Sequence, residues 1–322
     1  MAVYTKINNK DIVFLAKEFN LGKIKKFQGI KQGIENTNYL LLTNHKKYIL
    51  TIFEKRVNEK DLPFFMKLMD KLSENKINCP KPIKSKNNKY FTLIKKKPAC
   101  IVTFLKGKDK KILNNKNCYE VGKNIGMLHK ASSKLKLYRK NSMSINNLDI
   151  LLKSIKFKSK NITTNLKSVL EINLKEIKKD WPKNLPMGII HGDLFIDNIF
   201  FNKNKFAGFI DFYFSCNDYS IYEIAICINA LCFDNKNNKF LMNKKKVKNL
   251  IKGYQSVKTI SQREKNALNI LCRGAALRYL LTRIYDYFNT PKTALIKIKD
   301  PKEYFQKLII HNNLNNYKDY YN

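Results

Sequence analysis

One stretch of this 322-residue chain concentrates groups able to handle protons and a hard cation. His191-Gly192-Asp193-Leu194-Phe195-Ile196-Asp197-Asn198 is followed by an apolar run, the polar turn Asn202-Lys-Asn-Lys205, a second apolar run and Asp211. Asp193, Asn198 and Asp211 are therefore spaced by 5 and 13 residues. Each falls at the end of a β-like run or in a short loop, where a rigid scaffold presents oxygen atoms to a ligand. Mg2+ takes carboxylate, amide and phosphate oxygens and keeps some of its waters, so one Asp and one Asn beside a nucleotide suffice to hold it. The other Asp can orient an acceptor hydroxyl and take its proton.

The elements that must position these groups follow from periodicity. Residues 11–20 predict a helix with Asp11 as its N-cap and a stop at Asn20-Leu-Gly22. Residues 39–43 and 48–53 predict a hairpin, residues 62–72 a helix, and residues 90–94 and 100–105 two further strands. Beyond Lys106-Gly107 helical periodicity dominates, over 117–132, 146–155, 163–180, 219–233, 244–257, 261–287 and 301–314. A β island at 188–191, 199–201 and 206–211 interrupts it. The expected architecture is α+β and two-lobed: residues 1–106 form a small antiparallel-sheet lobe with a helix, and 107–322 a mainly helical lobe. No internal repeat is found.

Histidine, the Asp-to-Asn spacing and the later Asp together resemble the protein-kinase-like fold, in which H-R-D-x-x-x-x-N supplies base and metal ligand and a later Asp binds metal. Gly192 in place of the Arg makes the motif similar to the aminoglycoside and choline kinase branch, whose substrates are small molecules. Further segments extend the likeness: Gly33-Ile-Glu-Asn-Thr-Asn-Tyr-Leu-Leu, Ile49-Leu-Thr-Ile-Phe-Glu-Lys-Arg-Val, Asp61-Leu-Pro-Phe-Phe, Asp211-Phe-Tyr-Phe-Ser-Cys-Asn-Asp and Arg273-Gly-Ala-Ala-Leu-Arg-Tyr. With them the chain resembles homoserine kinases of the aminoglycoside-phosphotransferase-like family over roughly residues 1 to 310.

The resemblance implies ATP-dependent phosphorylation of the L-homoserine side-chain hydroxyl, for threonine synthesis, by a cytoplasmic enzyme using Mg2+; another small alcohol, such as choline or an aminoglycoside, is the alternative acceptor. Asp193 is then the catalytic base, and Asn198 and Asp211 are the metal ligands. Gly29 to Asn38 lies where such folds place a phosphate-covering loop, which assigns Gly29, Gly33, Asn36, Thr37 and Asn38 to the nucleotide, since glycine lets backbone N–H groups approach phosphate. Cys100 to Gly107 takes the place of the adenine-binding hinge, with Thr103 and Leu105 as contacts. The family usually has a third-strand Lys for the α/β-phosphates, and Thr51 stands there instead. Lys55, Arg56 or the Asn-rich glycine loop are the groups at hand to replace it.

Smaller constellations admit two readings each. His129 resembles the family's L-H-x-x-S element and suits a structural hydrogen bond. Asp218 and Glu223 suit either a substrate ammonium or the cap of the following helix. Arg273, Arg278 and Arg283 advance about 140° per step around a helix and cannot share one face. Arg273 or Arg278 can grip a substrate carboxylate or pair with structural acids.

Composition bounds the rest. The net charge is +38, yet only six of the 63 basic residues are Arg and the Lys are spread along the chain. A nucleic-acid face should be clustered and use Arg, so the even, Lys-rich charge fits compositional drift over an enzyme surface. No specific nucleic-acid partner, no membrane partner, and a monomer or weak homodimer are expected. Seven cysteines without a C-x-x-C pair support neither a disulfide framework nor a zinc site. The N-terminus carries no signal-peptide pattern.

Overall fold

The computed structural model describes residues 3–30, 36–54, 58–157, 160–289 and 298–321. Its elements are α1 (Asn9–Glu18), β1 (Ile24–Gly29), β2 (Thr37–Thr43), β3 (Lys47–Ile52), α2 (Leu62–Glu74), β4 (Thr92–Ile94), β5 (Lys97–Thr103), α3 (Asn115–Ser132), α4 (Leu148–Ser154), α5 (Lys160–Lys179) and β6 (Met187–Ile190). There follow β7 (Ile199–Asn202), β8 (Lys205–Phe209), β9 (Cys216–Tyr219), α6 (Ser220–Leu231), β10 (Phe233–Lys236), β11 (Lys239–Met242), α7 (Lys244–Gln255), α8 (Gln262–Asn289), α9 (Lys302–Asn312) and α10 (Lys318–Tyr321). They fall into two compact units. The first contains Met1–Lys108, Leu135–Leu137 and Phe200–Tyr213; the second contains Asp109–Lys134, Tyr138–Ile199 and Phe214–Asn322.

In the first unit an antiparallel sheet runs β1-β2-β3-β5-β4. Alternation along β2 and β3 turns Tyr39, Leu41, Tyr48, Leu50 and Ile52 to one face, where they pack with Ile12 and Leu15 of α1 and with Phe19 at its C-cap. Asn8 rather than Asp11 caps α1: the Asn8 side chain accepts from Asp11 N while the Asp11 carboxylate, three residues on, accepts from Asn8 N. The hairpin β7–β8 belongs to this unit, joined to the rest of it by backbone bonds between Lys108 and Phe201.

In the second unit the paired helices α3 and α7 approach unusually closely. A methyl group at Gly122 would lie 2.0 Å from Leu250 O, and one at Gly253 would lie 2.0 Å from Tyr119 O, so only glycine permits this approach. α6 is buried around nearly its whole circumference, as its apolar run implies, but it ends at Leu231 rather than 233. Phe233 opens instead the hairpin β10–β11, whose turn residues Asn237 and Asn238 have φ of 51° and 63°. That conformation suits Asn at a two-residue hairpin turn. β6 pairs antiparallel with β9, a strand missing from the sequence reading. No helix among the described residues is long and apolar enough to cross a membrane.

Candidate active site

The His191–Asn198 segment of the helical unit begins where β6 ends at Ile190. Gly192 turns the chain with φ of 77°, and a methyl group there would sit 2.9 Å from Phe214 O, so this motif position requires glycine. After Asp193 a short turn closes with Phe195 N donating to Asp193 O at 2.9 Å and Asn198 N donating to Phe195 O at 3.0 Å. Asn198 Nδ2 then donates to Asp193 O at 2.8 Å and lies 3.3 Å from Asp193 Oδ2. With the amide nitrogen committed to Asp193, the Asn198 Oδ1 is the end of the side chain suited to a hard cation.

The loop is held from beneath by buried ionisable groups. Glu223, on α6 and fully buried, accepts from the backbone N–H of His191 and from that of Gly192, the latter at 3.2 Å. This replaces the expectation of Glu223 as an ammonium ligand, because its oxygens face the loop backbone. His129 on α3 lies with Nε2 3.9 Å from Glu223 and Nδ1 3.0 Å from the Tyr254 hydroxyl on α7. Burial holds the His129 imidazole below its ordinary pKa. The glycine-mediated approach of α3 and α7 brings His129 onto Tyr254, so a packing feature far along the chain supports the Asp193 turn.

α8 supplies the other wall. The Tyr279 hydroxyl donates to Gly192 O at 3.1 Å and lies 3.5 Å from Asp193 Oδ1. Its ring meets Phe195 edge-on at 4.7 Å and carries the Arg278 guanidinium at 4.8 Å. Asp218, at the end of β9, accepts from Asn141 Nδ2 at 2.6 Å and from Tyr219 N at 2.7 Å. Burial raises its pKa. Arg273 lies elsewhere on α8, paired with Glu176 of α5 at 3.0 Å. The structure thus brings Arg278 to the Asp193 loop and gives Arg273 an interhelical tie instead of the expected substrate carboxylate.

In the sheet unit, Asp211 follows β8 with φ of 64°, a left-handed conformation that is costly for a residue with a Cβ and tends to persist at functional positions. Two residues later Tyr213 packs edge-on against Phe53 and Phe65. Its hydroxyl lies 3.9 Å from Cys100 Sγ and bonds with Thr51. Thr51 Oγ1, buried on β3, also donates to Asn38 Oδ1 at 2.8 Å. The position that carries Lys in the wider family is therefore filled by a Thr51–Asn38–Tyr213 network that ties the Asp211 turn to the sheet. Among the described residues no group of three or more His, Cys, Asp and Glu side chains could hold a metal ion; the donor set read from the sequence, one Asp and one Asn, is of another kind.

Gly29 closes β1, and a methyl group there would meet Val3 at 2.8 Å. Gly33 lies outside the described residues, as do Lys55 and Arg56. Asn36 accepts from Glu54 N at 3.4 Å. The Thr37 hydroxyl accepts from Tyr4 N and Thr5 N and donates to Glu54 Oε1 at 2.7 Å, so the side chain is consumed internally and only its backbone can meet a nucleotide. Glu54 also pairs with Lys97. Thr103 N donates to Lys81 O at 2.8 Å, and its hydroxyl accepts from Lys81 N, also at 2.8 Å. Leu105, beyond the end of β5, is half-buried.

Sequence reasoning missed Glu223 as the anchor of the loop, and it missed Tyr279. A Glu in the first turn of an otherwise apolar helix was the available signal for the first. For Tyr279, it was adjacency to one of the few Arg.

A model of the phosphotransferase enzyme family matches residues 26–242. A homoserine kinase of Paramagnetospirillum magneticum is 41% identical over 317 residues, which cover 97% of this chain and 96% of that one. One of Bartonella henselae is 39% identical over 314 residues, 98% of each chain. Among solved structures, an amicoumacin kinase in complex with AMP-PNP, Ca2+ and Ami superposes with a TM-score of 0.71 at 14% identity, covering 98% of this chain and 93% of that one. A Plasmodium vivax ethanolamine kinase gives 0.68 at 17% identity, covering 97% and 92%. At such identities the structures speak for the fold, which is the two-lobed α+β fold expected above.

Proposed function

We propose, from the premise that this chain belongs to the phosphotransferase enzyme family and within it to the homoserine kinases, that it transfers the γ-phosphoryl group of ATP to the side-chain hydroxyl of L-homoserine. The product, O-phospho-L-homoserine, serves threonine synthesis. The observation that carries the mechanism is the Asp193 turn, with its carboxylate held by Asn198 and neighboured by the Tyr279 hydroxyl.

Asp193 orients the acceptor hydroxyl and takes its proton as the bond to phosphorus forms. Asn198, through Oδ1, and Asp211 are the residues that would hold Mg2+, which would neutralise charge on the ATP phosphates. The backbone of 29–38 covers the phosphates, and the chain near Leu105 meets adenine. Thr103 contributes through its carbonyl, its N–H being bonded to Lys81. The boundary expected at residue 106 is refined by the return of 135–137 and 200–213 to the first unit: that unit acts on the nucleotide, and the second carries the acceptor. Glu223 and His129 position the loop without touching substrate. The chain works in the cytoplasm as a monomer or weak homodimer, and its positive charge is not a specific nucleic-acid site.

A coupled ADP-release assay across small alcohols, with product identified by phosphorus NMR, tests this reading. L-homoserine is expected to exceed choline, ethanolamine and an aminoglycoside in kcat/KM by about 10²-fold or more. Turnover with one of those and none with L-homoserine would overturn it.

A further inference from the structure

Arg278 is 4% exposed, on a helix interior, and among the described residues no Asp or Glu oxygen lies within the 4.0 Å of an ion pair. Its contacts are aromatic: it lies over the Tyr279 ring and against the Tyr222 hydroxyl. A buried guanidinium held by rings and phenols, with its fork unmatched by a carboxylate, is costly unless something completes it. One helix later, Tyr304 on α9 is wholly buried and its hydroxyl has no hydrogen-bond partner among the described residues. Buried phenols almost always find a partner.

The two groups belong to one place. The Tyr304 ring lies 5.3 Å from that of Tyr279 and 6.4 Å from that of Phe195, the residues flanking Asp193. Although burial by itself disfavours the charge on Arg278, Tyr279, Tyr222 and Asp193 around it keep its pKa above the ordinary value. A planar fork and a phenol donor, one aromatic ring away from the catalytic carboxylate, match the planar acceptor of a short amino acid whose hydroxyl sits at Asp193.

Resting on the homoserine reading above, we infer that Arg278 and Tyr304 form the subsite for the α-carboxylate of the acceptor, so that the site selects hydroxy amino acids over amino alcohols. An amino alcohol leaves both groups unmet in a buried place, and sites built to bond a polar group discriminate strongly against its absence. Arg278 and Tyr304 are binding residues in this scheme; Asp193 alone does the chemistry.

The test compares L-homoserine with 3-aminopropan-1-ol, which keeps the hydroxyl, chain and ammonium and lacks the carboxylate. In the unaltered chain kcat/KM should favour L-homoserine by about 10³-fold or more. Arg278→Gln should cut kcat/KM for L-homoserine by about 10²-fold, mostly in KM, while changing 3-aminopropan-1-ol by less than about threefold. Tyr304→Phe should raise KM for L-homoserine about tenfold, leave 3-aminopropan-1-ol unaffected, and leave Tm unchanged or higher, since the lost hydroxyl bonds nothing in the free protein. Equal losses for both acceptors, or a lowered Tm with KM unchanged in Tyr304→Phe, would make these groups supports of the loop and overturn the subsite. If Arg278→Gln does not fold, the Tyr304→Phe pair of KM and Tm decides alone. Absence of L-homoserine turnover in the unaltered chain would instead remove the functional reading on which the subsite rests.

Discussion

Around the nucleotide-side segment of the sheet unit, the buried polar groups are neutral: Asn36, Thr37 and Thr51 bond to one another's neighbours through hydroxyls and amides. Around Asp193 in the helical unit ionisable groups join the neutral Asn198 and Ser215: His129, His191, Glu223 and Arg278 are all below 5% exposed. A hydroxyl can exchange donor and acceptor roles and settle for a new partner. A buried carboxylate or guanidinium cannot, because losing its partner strands a charge in a poor solvent. The difference teaches where rigidity is placed: the turn that must hold Asp193 is fixed by interactions expensive to break, while the segment assigned to the phosphates is fixed by cheap ones.

The contrast predicts an order of effects. The largest should come from Glu223→Ala, which leaves the His191 and Gly192 N–H groups unmet and the loop without its anchor. A stability loss of about 3–5 kcal/mol is expected from urea unfolding, with turnover falling further than KM for ATP. A loss below about 1 kcal/mol would mean that the loop is not held this way.

Acid should separate the two units next. Burial lowers the pKa of His129, and that of His311 to about 3. The unfolded chain takes up protons near 6.5 that these folded sites refuse, so stability is full above that pH and falls as pH drops through it. In the sheet unit burial works to raise the pKa of Glu54 but the bonds from Lys97, Thr37 and Thr5 together lower it, so its contribution is lost only as pH falls below 4.5. Trp181, the one tryptophan, packs against Gly274 and Tyr222 and reports the helical unit. Its fluorescence should show stability lower by about 2 kcal/mol at pH 5.5 than at pH 7.5. A flat profile would contradict the neutral buried imidazoles.

The smallest effect should come from Asn38→Ala, which removes the acceptor of Thr51. About 1 kcal/mol of stability is expected to go, with KM for L-homoserine unchanged. A loss as large as that of Glu223→Ala would erase the contrast between the units.

Much of this was legible in the chain. The hairpin of 39–53, the helices beyond residue 110 and the Asp193, Asn198 and Asp211 spacing follow from alternation, periodicity and residue chemistry, which act locally. β10–β11 was not, because its strands are short and polar and the signal is a pair of asparagines that accept positive φ. Asp11 reads as a cap because it is the N3 partner of a capping box whose cap is Asn8. The deeper omissions are tertiary. Nothing local says that Glu223 reaches back to His191, that glycines at 122 and 253 bring His129 to Tyr254, or that Tyr213 binds Thr51, for each joins residues far apart in sequence. All seven cysteines are buried.

That Asp193 handles the acceptor proton is tested most directly by Asp193→Asn, assayed by ADP release with L-homoserine alongside the binding of ATP. Turnover should fall by about 10²-fold or more with ATP affinity and urea midpoint little changed, because Asn keeps the shape of the turn and lacks the basic carboxylate. Near-normal turnover in that variant would contradict the assignment of Asp193 and with it the reading of the whole site.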